Sequence, residues 1–211
     1  MKPLVVIGAG GFGRESLDVI EAANLEEPRW LVVGVIDDAP SPVALERLAA
    51  RSIAHLGGMN WFERTEQPVS FVIGIGAPHT RALIDARLVA LGHTPATAVH
   101  PAAVIGGRVS IGEGSVICGG VQVSTNVTLG RHVHLNPNAT IGHDVALEDF
   151  VSINPAAVIS GEVHVQSEAL IGAAAVVLQG LTVGRGSLVG AAACVTRDVA
   201  HGATVKGVPA R

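Results

Sequence analysis

The chain has no tyrosine, two tryptophans and four phenylalanines in 211 residues. So little aromatic surface excludes a core built around rings and leaves aliphatic side chains to fill the interior. Charged residues make up 15% and the formal net charge is −4. Lysine and arginine form no cluster anywhere, which removes the electrostatic footprint of a nucleic-acid binder. Two cysteines, Cys118 and Cys194, are too few for a disulfide framework and point to a reducing, cytoplasmic setting. No apolar run approaches the ~18 residues of a membrane span. None has the form of a signal peptide either, since Leu4-Val5-Val6-Ile7 is followed at once by glycines.

What the chain does have is glycine, 26 residues of it, and a strict period. From Val99 to Ala200 it reads in sixes without insertion or deletion, 17 × 6 = 102 residues. Every first position, from Val99, Ile105 and Ile111 to Val195, is Ile, Leu or Val; every fifth is Ala, Val, Ser or, once, Leu181. A period of six is neither helical nor that of a plain strand. Hexapeptide repeats build a parallel β-helix whose coils bury their aliphatic face by stacking on neighbours. Three hexads make one coil, so residues eighteen apart stack. A small fifth residue lets the chain bend inward, and Gly, Asn and Asp, as in Gly112-Glu113-Gly114 and Asn136-Pro137-Asn138, tolerate positive φ near the corners.

Residues 1 to about 98 follow other rules. Leu4–Ile7 is a short buried strand. A glycine turn, Gly8-Ala9-Gly10-Gly11-Phe12-Gly13, precedes a helix from about Arg14 to Ala23. A second strand, Leu31 to Ile36, ends at Asp37-Asp38; a helix follows around Val43 to Arg51. A third strand, Phe71 to Ile75, ends at Gly76, and Arg81 to Leu91 is helical. This β-α-β-α-β-α order predicts a small parallel α/β sheet, half of a doubly wound fold. The turn matches G-x-G-x-x-G between strand and helix. Glycines let backbone amides approach an anion at the positive end of the helix. The unit is too short for a dinucleotide and suits one nucleotide or one phosphorylated ligand. Asp37 and Asp38 stand where a second-strand acid meets a ribose or base edge. The alternative is that the turn merely packs helix on strand.

Nine histidines must be sorted. His55, His79, His93 and His201 fall in loops or helix ends and read as solvated; His100 opens the repeat as a join. His132, His134, His143 and His164 lie within the hexads, where a lone histidine is usually a solvated surface side chain. His143 differs. It is the third residue of Ile141-Gly142-His143-Asp144-Val145-Ala146, at an outward corner, with a carboxylate beside it. An imidazole so placed suits a general base near neutral pH. Asp144 could fix its tautomer, and the Gly161 amide, one coil further on, could hold an oxyanion.

The hexad run resembles the left-handed β-helix acyltransferases. With the Rossmann-like half domain before it, essentially the whole chain is similar to the sialic-acid O-acetyltransferase and bacillosamine-type amino-sugar N-acetyltransferase group. The resemblance implies a left-handed coil and three segments: a nucleotide-sugar-binding domain over 1–98, a catalytic β-helix over 99–200 and a tail over 201–211. It implies acetyl-CoA as co-substrate, no metal, and an amino or hydroxyl group of a sugar as acceptor. His143 matches the group's general base, Asp144 its acidic neighbour and Gly161 its oxyanion amide. Gly172, Ala173, Gly190 and Ala191 match positions along the pantetheine arm, and Ser152 a cofactor-touching position. Gly10, Gly11, Phe12, Asp37, Asp38 and Gly76 match the substrate site. Phe12 stands where many members have His, and Gly76-Ala77-Pro78-His79 where many have an Asn-rich turn. Gly207-Val208-Pro209-Ala210-Arg211 resembles the G-x-P-A-K/R terminus common in hexapeptide acyltransferases. The group implies a homotrimer, with the cofactor in a cleft between two subunits. Three other readings stay open: a metal enzyme like the γ-class carbonic anhydrases, using some of His132, His134, His143 and His164; a non-catalytic nucleotide-binding module; and a purely structural solenoid.

Overall fold

The computed structural model describes residues 1–65 and 67–211. The first part is an α/β unit of β1 (Lys2–Ile7), α1 (Gly11–Glu26), β2 (Trp30–Ile36), α2 (Pro42–Ala49), α3 (Trp61–Arg64), β3 (Ser70–Ile73), α4 (Pro78–Ala90) and β4 (Thr94–Pro95). The sheet is parallel in the order β2-β1-β3-β4. Leu4 to Ile7 are buried to 2% exposure or less, as expected of a central parallel strand covered on both faces. Ser41 caps α2 by accepting the Ala44 N–H, with Pro42 beginning the helix. Helices α1 and α4 begin three residues earlier than the sequence suggests. The glycine turn is already helical from Gly11, and Pro78 supplies a preset φ for a first turn. The third strand stops at Ile73. Segments α3 and β4, of four and two residues, are too short to carry a period.

The chain runs β1–β2 to one side and β3–β4 to the other. The crevice at the carboxyl ends of β1 and β3 is therefore the switch point at which such sheets take ligands.

The second part is a parallel β-solenoid with three faces. The first face has seven two-residue strands from Ala98–Val99 to Thr204–Val205, the second has six from Val104–Ile105 to Cys194–Val195, and the third has five from Ser110–Ile111 to Thr182–Val183. The register is eighteen: His134 pairs with Val116 and Ser152, and Thr140 with Gln122 and Val158. First- and fifth-position side chains point inward; Ile141, Val145, Leu147 and Val151 are at most 1% exposed. The corner itself is made one residue before the small fifth position. The fourth residue of every hexad from Arg108 to Ala192 has φ between 50° and 76°. Eleven of these fifteen are not glycine. Repetition, not residue type, imposes the left-handed conformation, because from Gly120 to Ala192 each corner's amide is held by the coil before it, as Asp144 N–H is by Thr125 O at 3.0 Å.

Two sequence boundaries change. The seventeenth hexad is cut short: Val199 pairs with Val183, and Thr204–Val205 with Leu188–Val189, at a separation of sixteen. The segment from 201 is thus not a free tail. It adds a strand to the first face, and Ala210 N–H donates to Cys194 O at 2.7 Å.

The α/β unit sits on the first face. Val116, His134 and Ser152, outward residues of that face, are 0–1% exposed. Helix α1 packs along this face, and α4 ties the joint through two residues one turn apart. Arg81 donates to Ile75 O and Gly76 O (both 3.0 Å) on its own side, and to Phe150 O (2.7 Å) and Ser152 Oγ (3.0 Å) on the solenoid. Asp85 accepts from His132 Nε2 at 2.8 Å and from Arg131 at 3.1 Å. The expectation that His132 and His134 are solvated is therefore wrong. His132 lies between Phe71 and Phe150 in parallel stacks, and His134 packs on Phe12 at 4.5 Å. His93, read as solvated, is buried too, and its Nδ1 accepts the Val69 N–H at 3.2 Å.

Candidate active site

His143 stands on the edge between the second and third faces, with its side chain 58% exposed. Its Nδ1 meets Asp144 Oδ2 at 2.7 Å, and Asn126, one coil back, donates to Asp144 Oδ1 at 3.1 Å. The His143 and Asn126 hydrogen bonds hold the Asp144 carboxyl below its ordinary value. The carboxylate fixes a tautomer with the proton on Nδ1, which leaves Nε2 with a free lone pair. That nitrogen lies over Gly161: a Cβ there would come within 2.5 Å of both Cε1 and Nε2. Any side chain at 161 would displace the ring.

The Gly161 amide N–H has no hydrogen-bond partner among the described residues. Around the edge the ladder uses second-, fourth- and sixth-position amides: Gly142 to Ile159 O, Glu162 to His143 O and Ala146 to Val163 O. Third-position amides such as that of Gly161 fall outside it. Imidazole, carboxylate and amide thus meet through the stacking of hexads eighteen residues apart.

The other candidate residues lie elsewhere. Ala173 and Ala191 are on the edge between the first and second faces, half-buried and exposed respectively. The second face separates them from His143, so one chain does not bring the two groups together. Gly172 has a packing reason to be glycine, since its Cβ would lie 2.5 Å from Ala191 N. Gly190 is tighter than an open position, with Lys206 Cβ 3.0 Å away. Ser152 is corrected: it is 1% exposed, donating to Gly76 O at 3.1 Å and accepting from Arg81. It belongs to the joint between the two parts and offers no surface to a cofactor.

The glycines of the α/β unit fall into two kinds. Gly13 is fixed by packing, as its Cβ would be 1.8 Å from Gly8 O, and Gly74 likewise abuts Gly13. Gly10, Gly11 and Gly76 are exposed, and a Cβ at any of them meets nothing within 4 Å. The three glycines singled out for substrate are those that packing does not explain, and they flank the switch-point crevice. Phe12 is committed to His134. Asp37 Oδ2 accepts the Ala9 N–H at 2.8 Å and Asp38 Oδ1 that of Met59 at 2.9 Å. Each carboxylate ties the end of β2 to a loop. Cys118 is buried and its thiol is pushed up to about 12, by burial first and by Glu15 and Asp18 second, so it stays a thiol. The sequence did not single out Arg81, Asp85 or Asn126; their roles depend on partners in other elements.

An imidazole braced by a carboxylate over a glycine backbone, on the edge of a hexad solenoid joined to a small parallel α/β unit, is a scaffold fit for general-base chemistry. Comparison with known proteins narrows the class. Residues 3–88 match the PglD N-terminal domain. The chain is 30% identical over 149 residues to the GDP-perosamine N-acetyltransferase of Escherichia coli O157:H7, an alignment spanning 70% of this chain and 65% of that protein. The acetyltransferase domain of PglB from Neisseria gonorrhoeae, solved with acetyl coenzyme A, is 30% identical and superimposes with a TM-score of 0.89 over 100% of this chain and 98% of that one. PerB from Caulobacter crescentus, solved with CoA and GDP-perosamine, is 25% identical with a TM-score of 0.80, over 100% and 97%. The chain belongs to the hexapeptide-repeat sugar acetyltransferase family.

Proposed function

We propose that this protein transfers an acetyl group from acetyl-CoA to the amino group of a nucleotide-linked sugar. The observation that carries the reading is the position of His143 Nε2, free of Asp144 and directly over Gly161. The acceptor amine attacks the thioester carbonyl, and the new C–N bond forms as the carbonyl π electrons move to oxygen. His143 Nε2 takes the amine proton, Asp144 stabilises the resulting imidazolium, and the Gly161 N–H donates to the oxyanion. The intermediate then collapses with loss of coenzyme A as thiolate, which the imidazolium can protonate. No acyl-enzyme is needed: Cys118 is buried, and no serine or cysteine sits beside His143 in the sequence. The amine nucleophile follows the N-acetyltransferase relatives.

The acceptor's nucleotide would lie in the crevice beside Gly10, Gly11 and Gly76, near Asp37 and Asp38. The pantetheine arm would run along Ala173 and Ala191. These places are on different sides of the solenoid from His143, which supports a homotrimer with each site shared by two copies. Two unpaired cysteines suit a reducing cytoplasm. Among the described residues, no helix is long and apolar enough to cross a membrane. The metal alternative loses two of its four imidazoles, because His132 and His134 are enclosed in the joint.

The test is a turnover assay with acetyl-CoA and a panel of nucleotide-linked amino sugars, reading thiol release and product mass. Wild type is expected to turn over with at least one GDP- or UDP-linked amino sugar. The His143→Ala variant, with unchanged fold and assembly, is expected to lose about 10²–10⁴-fold in kcat/KM. Full activity in that variant would remove the base assignment.

A further inference from the structure

Arg81 is 0% exposed and no carboxylate pairs with it among the described residues. Its Nε has no partner either. Burial pulls its pKa from 12.5 down to about 9, which leaves it charged at neutral pH. A buried cation surrounded by neutral acceptors is a poor way to gain stability, since an apolar side chain of similar size would cost less. What the arrangement achieves is geometric. One guanidinium nitrogen takes Ile75 O and Gly76 O, and the other takes Phe150 O and the Ser152 hydroxyl. The same hydroxyl donates to Gly76 O at 3.1 Å. The carbonyl of Gly76 is therefore gripped twice from below, once from α4 and once from the solenoid. The other side of Gly76 is exposed and open. The chain leading into the turn also abuts the glycine turn, since a Cβ on Gly74 would lie 2.4 Å from Gly13 Cα.

We infer that Arg81 and Ser152 are positioning residues that set the height and orientation of the Gly76 turn and so fix how the acceptor's nucleotide sugar is presented. The inference rests on the reading of that turn as part of the acceptor site. Neither residue touches the reacting atoms; both act through the Gly76 backbone. Ser152 has this role in place of the cofactor contact its sequence position suggests.

The experiment is steady-state kinetics on the full chain, varying each substrate separately, together with calorimetric binding of GDP and UDP. The variants are Ser152→Ala, Arg81→Lys, Arg81→Met and the double variant Ser152→Ala/Arg81→Met. Ser152→Ala is expected to raise the acceptor KM about 3- to 10-fold, the worth of one neutral hydrogen bond. The KM for acetyl-CoA and kcat should stay within about twofold. Arg81→Met should raise the acceptor KM further, with Arg81→Lys recovering part of it. The double variant should raise the acceptor KM beyond Arg81→Met but depart from the sum of the two single effects, because both groups act on one carbonyl. If Arg81→Met does not fold, the comparison of Ser152→Ala and Arg81→Lys with wild type decides. An unchanged acceptor KM in both, or a parallel rise in both substrates' KM, overturns the inference alone. Wild type that neither binds a nucleoside diphosphate nor acetylates any nucleotide sugar overturns the reading beneath it.

Discussion

At the scale of single residues, the site is a lesson in what adjacency and stacking each provide. His143 and Asp144 are neighbours in sequence, and neighbours in an extended strand point apart. Here the second of the pair sits at a corner with φ of 60°, and the turn swings its carboxylate back onto the ring. Asn126 then holds the other carboxylate oxygen. Asp144→Asn should cost on the order of 10- to 100-fold in kcat/KM, the worth of a hydrogen bond to a charged group, with substrate KM values little changed. Because Asp144 is held below its ordinary range, it remains ionised wherever an imidazole titrates. The acid limb of the wild-type profile should therefore fall with one proton; a two-proton limb would show that Asp144 protonates with the base. That an imidazole, its acidic neighbour and an amide one coil on come together was legible in the sequence, from adjacency and a separation of eighteen; what singled out His143 was the resemblance, not the hexad frame. The surroundings of the other imidazoles were not legible. Hexad position makes His132 and His134 outward-facing in the same way as His143, and only the docking of another element distinguishes a buried outward residue from a solvated one.

At the scale of elements, α4 supplies the polar contacts of the joint, and its contribution is hard to see in sequence. Arg81 and Asp85 are spaced i, i+4, which usually signals a solvated ion pair along a helix. In this fold they do not pair with each other; each reaches the solenoid separately. Burial alone would raise the Asp85 carboxyl, but hydrogen bonds and charge from His132 and Arg131 outweigh it and the net shift is downward. A carboxyl whose folded value is depressed adds stability above its unfolded value, ~4, and loses it as pH falls through the folded one. Asp85→Asn should thus lower stability at pH 7 by about 1–3 kcal/mol, read as a shift of the urea midpoint with an unchanged slope. The gap between variant and wild type should narrow as pH falls below ~4, the unfolded value. A gap that stays constant across that range would assign the loss to packing. The repeat strands were legible because seventeen aliphatic first positions fix the frame. The break at Val199 was not, since Val also satisfies the fifth position and only pairing with Val183 shows its true place.

At the scale of the whole molecule, the first face is covered by the α/β unit while the other two have no comparable cover. The outward residues of the second face, Val104, Thr140, Val158, Val176 and Cys194 among them, are mostly apolar or β-branched, and Val104 is 56% exposed. On one edge of that face stand His143 and Gly161, on the other Ala173 and Ala191. A site needing both edges cannot close within one chain, but it can close around a symmetry axis, where the His143 edge of one copy meets the alanine edge of the next. Two variants, each inactive alone, make this testable. His143→Ala removes the base and leaves the alanine edge intact; Ala173→Trp fills the alanine edge and leaves the base intact. Co-refolded in equal amounts, they form mixed assemblies. A shared site is competent when its His143 comes from the Trp-bearing copy and its Ala173 from the other. Random mixing should restore roughly a quarter of the sites. If every site lay within one chain, no mixture could contain an intact one, and activity would stay at the level of the separate variants.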